Sequence, residues 1–377
     1  MDKETYLKQY ESCKWVAFDE LEKFMQEVLV KIGVPATDAP IISDVLITSD
    51  KRGIDSHGIG RFKSIYIDRI DDKILNPITK IDSIRDNKTV AVLDGNNGMG
   101  MVVSKHAMNL AISKAKEFGM GMVAVRNSTH YGIAGYYALM AAKAGMIGIT
   151  GTNARPSVAP TFGSEGMLGT NPLTIGFPTD EEFPFILDCA TSAQQRGKIE
   201  SYSRMGKSIP EGWVVSANGG TITDPDKALA EILAGNAACL PIGGAGDENG
   251  GHKGYGYSVF VEVMSAALQQ GAFLKALSGF GPDGSKISYP LGHFFLAIDV
   301  SFFTERESFE KISGEIMRDL RASRKAVGED RIYTAGEKEY LAQQFRSEKG
   351  CPVPLALQKQ MTELRDRFEL DYKFEWD

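Results

Sequence analysis

The chain has 377 residues and a hydrophobic content of 43%, which is enough for roughly two or three globular domains. Its formal net charge of -7, with acidic and basic residues interspersed, argues against nucleic acid or an anionic membrane surface as the main partner. Residues 1–20 lack the apolar run of a signal peptide, and no uncharged apolar stretch reaches membrane-spanning length, so we expect a cytoplasmic protein.

The N-terminal part of the chain is predicted to be helical. From Phe18 to Arg52 apolar residues recur at three- and four-residue steps, and the break at Gly33–Pro35 turns this pattern into a helical hairpin. Residues 37–40 carry an N-cap signal for the second helix. A third helix is predicted over Phe62–Ile70, and Pro77 closes the helical region.

Strands and helices alternate after Pro77. The predicted strands are Thr89–Asp94, Met120–Arg126, Ile147–Thr152, Thr174–Phe177, Phe185–Asp188 and Phe294–Asp299. The predicted helices are Val102–Phe118, Tyr136–Ala144, Thr191–Met205, Tyr257–Gln270, Ser308–Lys325 and Leu355–Phe368. Ile209–Asp226 is rich in Gly, Asp, Asn and Pro and is predicted to form mostly turns.

The segment Asp55–Arg61 has the composition of a reaction site in a chain with only five histidines. The imidazole of His57 can exchange a proton near neutral pH, and the guanidinium of Arg61 can hold a carboxylate in a bidentate fork. The pattern indicates that an acid is bound and a proton is moved. A purely structural turn, with Asp55 as a cap and a hydrogen-bonded His57, is the alternative at this point.

Two further side chains follow predicted strands, where active-site groups of α/β folds tend to lie. His130 comes directly after the strand that ends at Arg126 and is a second candidate for acid–base chemistry. Asp188 ends another strand, where it could orient His57 as a triad carboxylate does, or serve only as a helix cap together with Thr191 and Ser192. We interpret His106 and His293 as structural. The fifth histidine, His252, lies in a glycine-rich segment.

Two glycine-rich segments have to be considered as phosphate sites, and only the first is retained. Gly250–Gly256 leads into a predicted long helix and contains Lys253, so backbone N–H groups there would suit a pyrophosphate, although a simple linker is the alternative. The one G-x-G-x-x-G match, Gly279–Gly284, follows a helix and contains Pro282, so we interpret it as a surface turn. A Rossmann unit is therefore not supported. Thr150–Ala154 and Gly169–Pro172 could also present hydroxyls and amides to a ligand.

The four cysteines are scattered along the chain at Cys13, Cys189, Cys239 and Cys351. They form no C-x-x-C pair and no metal-ligand spacing with the histidines. We therefore expect reduced thiols and no metal site.

Six ordered motifs resemble those of the type-2 malate/L-lactate dehydrogenases, from about Phe18 to Glu337. They are Asp55–Gly58, Ser128–Gly132, Gly169–Pro172, Asp188–Ser192 with Arg196–Ile199, Pro210–Trp213 and His252–Gly256. That family also contains ureidoglycolate dehydrogenase, diketogulonate reductase, sulfolactate dehydrogenase and piperideine-carboxylate reductase. The resemblance implies hydride transfer between NAD, or possibly NADP, and the alpha carbon of a small 2-oxo or 2-hydroxy acid.

The resemblance also implies a fold and an assembly. We expect a mixed α/β fold with a non-Rossmann nucleotide-binding domain over 81–300, a helical part over 1–80, and a C-terminal helical segment over 301–377 that packs back on it. The chain is expected to form a homodimer with the active site near the interface. The segment 331–337 departs from the family pattern as we know it, and the tail that follows could pack across such a dimer.

By the family motifs His57 would be the proton donor, and His130 is the competing candidate for that role. Asp188 is a further catalytic candidate. Ser56 and Arg61 would contact the substrate. The residues implied for the nucleotide are Thr152, Asn153, Ala154, Pro172, Leu187, Asp188, Cys189, Ala190, His252, Lys253, Gly254, Gly336 and Glu337. A serine hydrolase is disfavoured because the chain has no G-x-S-x-G elbow. A noncatalytic nucleotide-binding sensor of the same fold stays open, as does a reductase of another 2-oxo or cyclic 2-imino acid.

Overall fold

A computed structural model describes residues 2–377 and has a mixed seven-stranded sheet at its centre. The sheet strands are β2 (Asp82–Asp86), β3 (Val90–Asp94), β4 (Met120–Ser128), β5 (Met146–Thr152), β6 (Leu173–Phe177), β7 (Phe185–Cys189) and β10 (Leu291–Asp299). Their order is β2-β3-β4-β10-β5-β6-β7. The pair β3–β4 is parallel and the other pairs are antiparallel. The predicted mixed α/β, non-Rossmann fold is thus confirmed, since a Rossmann sheet is mostly parallel.

Four short strands form two small ribbons. They are β1 (Lys14–Val16), β8 (Val214–Ser216), β9 (Ala237–Cys239) and β11 (Cys351–Val353). β8 lies inside the stretch predicted to form mostly turns and pairs with β9, which follows that stretch. β1 pairs with β11, which joins the two ends of the chain.

The helices surround the sheet and form most of the N- and C-terminal regions. They are α1 (Lys3–Lys8), α2 (Phe18–Lys31), α3 (Ala39–Lys51), α4 (Asp68–Asp71), α5 (Gly100–Phe118), α6 (Gly135–Lys143), α7 (Arg196–Arg204), α8 (Pro225–Ala234), α9 (Gly251–Ala266), α10 (Arg306–Ala322), α11 (Glu337–Ser347) and α12 (Leu355–Arg367). The helical hairpin predicted from Phe18 is α2 and α3. The predicted third helix starts with a 3₁₀ turn and a π-helical segment, Phe62–Ile67, before α4.

One large apolar core joins both ends of the chain to the sheet. Leu21 and Phe24 of α2, Val125 of β4 and Met361 of α12 belong to the same buried cluster. The tail therefore packs against the N-terminal helices of its own chain. The proposed division into domains at residues 80 and 300 remains a prediction.

Two helix starts differ from prediction. α7 begins at Arg196 rather than at Thr191, because the Thr191 hydroxyl donates to the backbone oxygens of Thr170 and Asn171 and holds the preceding segment extended. α9 begins at Gly251 rather than at Tyr257. Its first turn packs directly on backbone, and a Cβ on Gly251 would lie 2.1 Å from the Gly244 carbonyl oxygen, so the glycine permits this packing instead of breaking the helix.

Within residues 2–377 no helix is long and apolar enough to span a membrane. No group of three or more His, Cys, Asp or Glu side chains in the same range could hold a metal ion. All four cysteines are free thiols. The segment Gly279–Gly284 is a surface turn closed by a bridge between Phe280 and Lys286.

Candidate active site

The loop that carries His57 is shaped by the end of α3. Ser49 donates to the Ile54 carbonyl at 2.8 Å, and the buried Asp50 carboxyl accepts from the Ile59 N–H at 2.8 Å. A Cβ on Gly58 would lie 1.8 Å from Asp50 Oδ1, so only glycine fits there. Burial raises the pKa of Asp50 to about 8. The neutral acid can therefore sit beneath the loop at neutral pH.

A guanidinium from the far end of the chain holds the same loop. Arg346 of α11 is fully buried and donates to both carboxylate oxygens of Asp55, at 2.6 and 3.0 Å. It also donates to the Asp50 carbonyl and to the hydroxyls of Tyr6 and Tyr10. Asp55 is thus an ion-paired anchor, and the sequence analysis did not identify Arg346.

The two candidate histidines lie next to each other. The rings of His57 and His130 are stacked with centroids 5.7 Å apart and planes within 17°. Ser56 Oγ lies 2.8 Å from His57 Nδ1. Tyr66, in the π-helical segment, places its hydroxyl 2.6 Å from His130 Nδ1, which also accepts the Gly132 N–H. Because Nδ1 of His130 is an acceptor, the neutral ring carries its proton on Nε2.

Both imidazoles are held neutral at physiological pH. Burial, with a smaller contribution from the nearby Arg61 cation, lowers the pKa of His57 to about 4. Burial followed by the proximity of His57 also lowers the pKa of His130 well below its usual value. In the free protein each ring is therefore set up to accept a proton rather than to give one.

Ser56 and His57 open into a cavity of about 220 Å³. The other walls of the cavity come from the end of α3, the turn at residues 131–135 and the first residues of α11. Residues 170–172, which precede β6, and residues 186–190, at the end of β7, complete the lining. The lining residues are Arg52, Ile54, Ser56, His57, Tyr131, Gly132, Ile133, Ala134, Gly135, Thr170, Pro172, Ile186, Asp188, Ala190, Gln195 and Glu339. Arg52, Tyr131 and Glu339 are site residues that the sequence analysis missed, because they lie outside the motifs or at motif positions without an assigned role.

Two of the predicted catalytic and substrate residues lie outside this cavity. His130 instead borders a small pocket of about 10 Å³ together with Tyr66 and Arg69. Arg61 donates from Nε to the Ser56 carbonyl at 2.7 Å, so it braces the loop in this structure. Its bidentate use on a substrate carboxylate stays a prediction.

Asp188 makes no hydrogen bond to His57 within residues 2–377, and the helix that it caps is α6 rather than the helix that follows it. Its carboxylate accepts from the Gly135 N–H at 2.7 Å and from the Thr174 hydroxyl at 3.0 Å. It therefore caps the N-terminus of α6 from the neighbouring strand β7, where an anion is favourable. His57 takes Ser56 as its partner, and the residue that precedes α7 is Gln195. Burial raises the pKa of Asp188.

Several predicted cofactor residues are bonded into the framework. Thr152 Oγ1 lies 2.7 Å from Nδ1 of the buried His293, and Asn153 Oδ1 accepts the Gly292 N–H at 2.8 Å. Ala154 donates its N–H to the Asn171 side chain. These contacts join β5 to β10 and the following loop.

The edge strand β7 presents the next group of predicted residues. Leu187 is exposed and Cys189 is partly exposed, whereas Pro172 and Ala190 line the cavity opposite His57. Among the predicted nucleotide residues, Pro172, Asp188 and Ala190 are those that the cavity brings together with His57.

The remaining predicted cofactor residues lie elsewhere. His252, Lys253 and Gly254 form the first turn of α9, and His252 Nδ1 lies 3.2 Å from Asp247. Gly336 precedes α11 with a positive φ of 92°. The buried Glu337 carboxylate is ion-paired with Arg331 and with Arg321. Glu337 is thus already neutralised, and Glu339, one half-turn later, is the α11 carboxylate at the cavity.

The sequence matches the model of the malate/L-lactate dehydrogenase family over residues 16–362. The chain belongs to this family. It is 43% identical to malate dehydrogenase of Pyrococcus horikoshii over 93% of this chain and 94% of that one. It is 38% identical to L-sulfolactate dehydrogenase of Methanocaldococcus jannaschii over 93% of this chain and 96% of that one. The crystal structure of malate dehydrogenase from Entamoeba histolytica superposes with a TM-score of 0.92, at 48% identity, over 96% of this chain and all of that one.

Family membership establishes the class of enzyme. The protein is an NAD(P)-dependent oxidoreductase that acts on 2-hydroxy acids. The match reaches residue 362, so the resemblance extends well beyond Glu337, where the sequence analysis ended it. The helix α12 thus belongs to the family fold and is not an unrelated tail.

Proposed function

We propose that this dehydrogenase transfers hydride between NAD, with NADP as an alternative, and the alpha carbon of a malate-type 2-hydroxy acid. The observation that carries the proposal is the position of His57, a neutral and partly buried imidazole that opens into a small cavity beside Ser56. The malate dehydrogenases among the relatives favour a four-carbon dicarboxylic acid over lactate.

The cavity fits a nicotinamide ring as well as a small acid. Apolar residues, Ile133, Ala134, Pro172, Ile186 and Ala190, form much of its lining. A flat apolar ring suits such a wall, and Lys253 at the exposed start of α9 would suit the phosphates. A bound nicotinamide supplies the hydride acceptor for oxidation and the donor for reduction.

His57 then handles the proton. In oxidation its neutral imidazole accepts the hydroxyl proton as the hydride leaves the alpha carbon, and in reduction the imidazolium returns that proton to the carbonyl oxygen. Positioned acid–base catalysis of this kind typically contributes about 10²–10⁴-fold. Ser56 holds Nδ1 of His57, which leaves Nε2 for the substrate.

We also propose a homodimer in which α9 contributes to the interface. Tyr257, Phe260 and Val263 on this helix are large apolar residues that are about half exposed. Val263 also lines an apolar groove of about 500 Å³ along α9, together with Tyr255 and Val259. Exposed apolar patches of this kind mark interaction sites in ordinary globular proteins.

The test follows the oxidation of NADH and of NADPH by absorbance with a panel of acids. Oxaloacetate, pyruvate, sulfopyruvate, diketogulonate and a cyclic imine acid are offered to the purified protein. Turnover with oxaloacetate and NADH is expected. Faster turnover with another acid would make that acid, rather than malate, the assigned substrate type. No turnover with any of the acids, despite tight nucleotide binding, would favour a noncatalytic sensor.

A further inference from the structure

Arg52 is a buried cation at the wall of the cavity. It follows α3 directly and is only 9% exposed, yet it lines the same cavity as Ser56 and His57. Within residues 2–377 its guanidinium makes no hydrogen bond and no ion pair. Guanidinium groups are almost never buried without a partner, because water is removed and nothing replaces it.

The nearby carboxylates do not occupy this guanidinium. Asp188 and Glu339 act on Arg52 only over a longer range, and burial lowers the pKa of Arg52 more than they raise it. The Asp188 oxygens are already bonded to Gly135 and Thr174. Glu339 lies on the partly exposed face of α11. The five N–H donors of Arg52 are therefore available to a planar oxyanion from the cavity.

We propose that Arg52 binds the second acidic group of a dianionic 2-oxo acid, and so makes the enzyme prefer malate-type over lactate-type substrates. This inference rests on the proposed function. Malate and sulfolactate, the substrates in the names of two relatives, each carry an acidic group at both ends of the molecule. A cavity that binds such an acid needs a cation remote from the group that exchanges the proton.

A nucleotide phosphate is the less suitable occupant. The cavity of about 220 Å³ is below the usual size of a site for a drug-sized ligand, and it is large enough for a small acid. The residues implied for the phosphates, His252 and Lys253, lie on α9 and do not line it. Arg52 instead shares its cavity with His57, the proposed proton acceptor.

The experiment compares Arg52→Gln and Arg52→Lys with the wild type, using oxaloacetate and pyruvate as substrates. Arg85→Gln, on the exposed edge strand β2, is the matched control. We expect Arg52→Gln to lower kcat/KM for oxaloacetate by about 10–100-fold, mainly through KM, with pyruvate within about twofold. Arg52→Lys should recover part of this loss, since it restores charge without the planar fork.

Calorimetric binding of malate and lactate separates this inference from the proposed function. Arg52-dependent binding of malate without turnover would support the role of Arg52 while removing the proposed reaction. Turnover with an equal loss for both acids would overturn the role of Arg52 and leave the reaction intact. A loss confined to NADH affinity would also overturn it, because the guanidinium would then bind the nucleotide.

Discussion

At the scale of single residues, desolvation decides what His57 can do. The ring is partly buried near Arg61, and its pKa is lowered to about 4 from its usual 6.5. At physiological pH the imidazole is therefore neutral and can accept the proton of a hydroxy acid, but the lowered pKa also makes it a weaker base. An anionic substrate placed against it would raise the pKa again and would help the reverse reaction.

Replacement of His57 by Asn should lower kcat in both directions by about 10²–10⁴-fold while NADH affinity stays unchanged, because the proton acceptor is lost and the cavity keeps its shape. His130→Asn is the matched variant, since its ring lies stacked beside His57. It should have the smaller effect. Stopped-flow turnover and NADH fluorescence titration measure these quantities, and near-normal turnover in His57→Asn would transfer the role to His130.

The pH dependence should differ between the two directions of reaction. For malate oxidation, kcat/KM should be flat at neutral pH and fall only as the pH drops through about 4, where His57 becomes protonated. For oxaloacetate reduction it should fall about tenfold per pH unit above that pKa, because the imidazolium is required. Initial rates across pH with a constant ionic strength test this. If kcat/KM for malate oxidation instead began to fall at pH values near 6.5, the result would contradict a desolvated environment for His57.

At the scale of elements, the reactive loop depends on a helix that follows it by almost 300 positions. Arg346 of α11 and Asp55 are 291 residues apart, and their ion pair fixes the loop between α3 and the 3₁₀ turn at Ile59–Arg61. The guanidinium of Arg346 is fully buried whereas the side chain of Asp55 is 44% exposed, so removing the guanidinium loses its hydrogen bonds but leaves Asp55 open to water. The C-terminal helices therefore position the reactive loop although none of their residues was predicted to do so.

Arg346→Met is expected to lower the free energy of unfolding by roughly 1–3 kcal/mol, because the Asp50 carbonyl and the hydroxyls of Tyr6 and Tyr10 lose their donor. Its effect on kcat should exceed its effect on the KM for NADH. Arg318→Gln breaks an exposed pair with Asp180 and is the matched control, for which little change in stability is expected. Urea denaturation followed by circular dichroism, with steady-state kinetics at a temperature where both variants are folded, measures both effects. An unchanged kcat in folded Arg346→Met would show that the ion pair does not position His57.

Periodicity predicted most elements because it reports which face of a segment is buried. The hairpin α2–α3, six of the seven strands of the central sheet and the amphipathic helix α10 lie within a few residues of their predicted bounds, whereas the edge strand β2 was not predicted. The starts of α7 and α9 were wrong because they depend on contacts with distant backbone. Thr191 bonds to the 170–171 loop, and Gly251 packs on Gly244.

At the scale of the whole molecule, the exposed face of α9 leads to a prediction about assembly. We expect the wild type to sediment as a dimer and Phe260→Glu to sediment as a monomer, because a charge on a half-exposed apolar face opposes its burial. Leu233→Glu, on the exposed side of α8, is the matched control and should stay dimeric. Analytical ultracentrifugation measures the mass. A monomeric wild type with full activity would contradict the proposed homodimer.

The sequence by itself determined the fold class and the family, and it selected Ser56, His57 and His130, whose side chains lie next to one another in the structure. These follow from local patterns, since periodicity, composition and motif spacing are properties of neighbouring residues. Only the tertiary structure decided that Asp188 caps α6, that Arg346 holds Asp55, and that Arg52 is buried with no hydrogen bond or ion pair to its guanidinium among residues 2–377. Each of these depends on which distant groups meet where water is excluded, and local patterns carry no information about that.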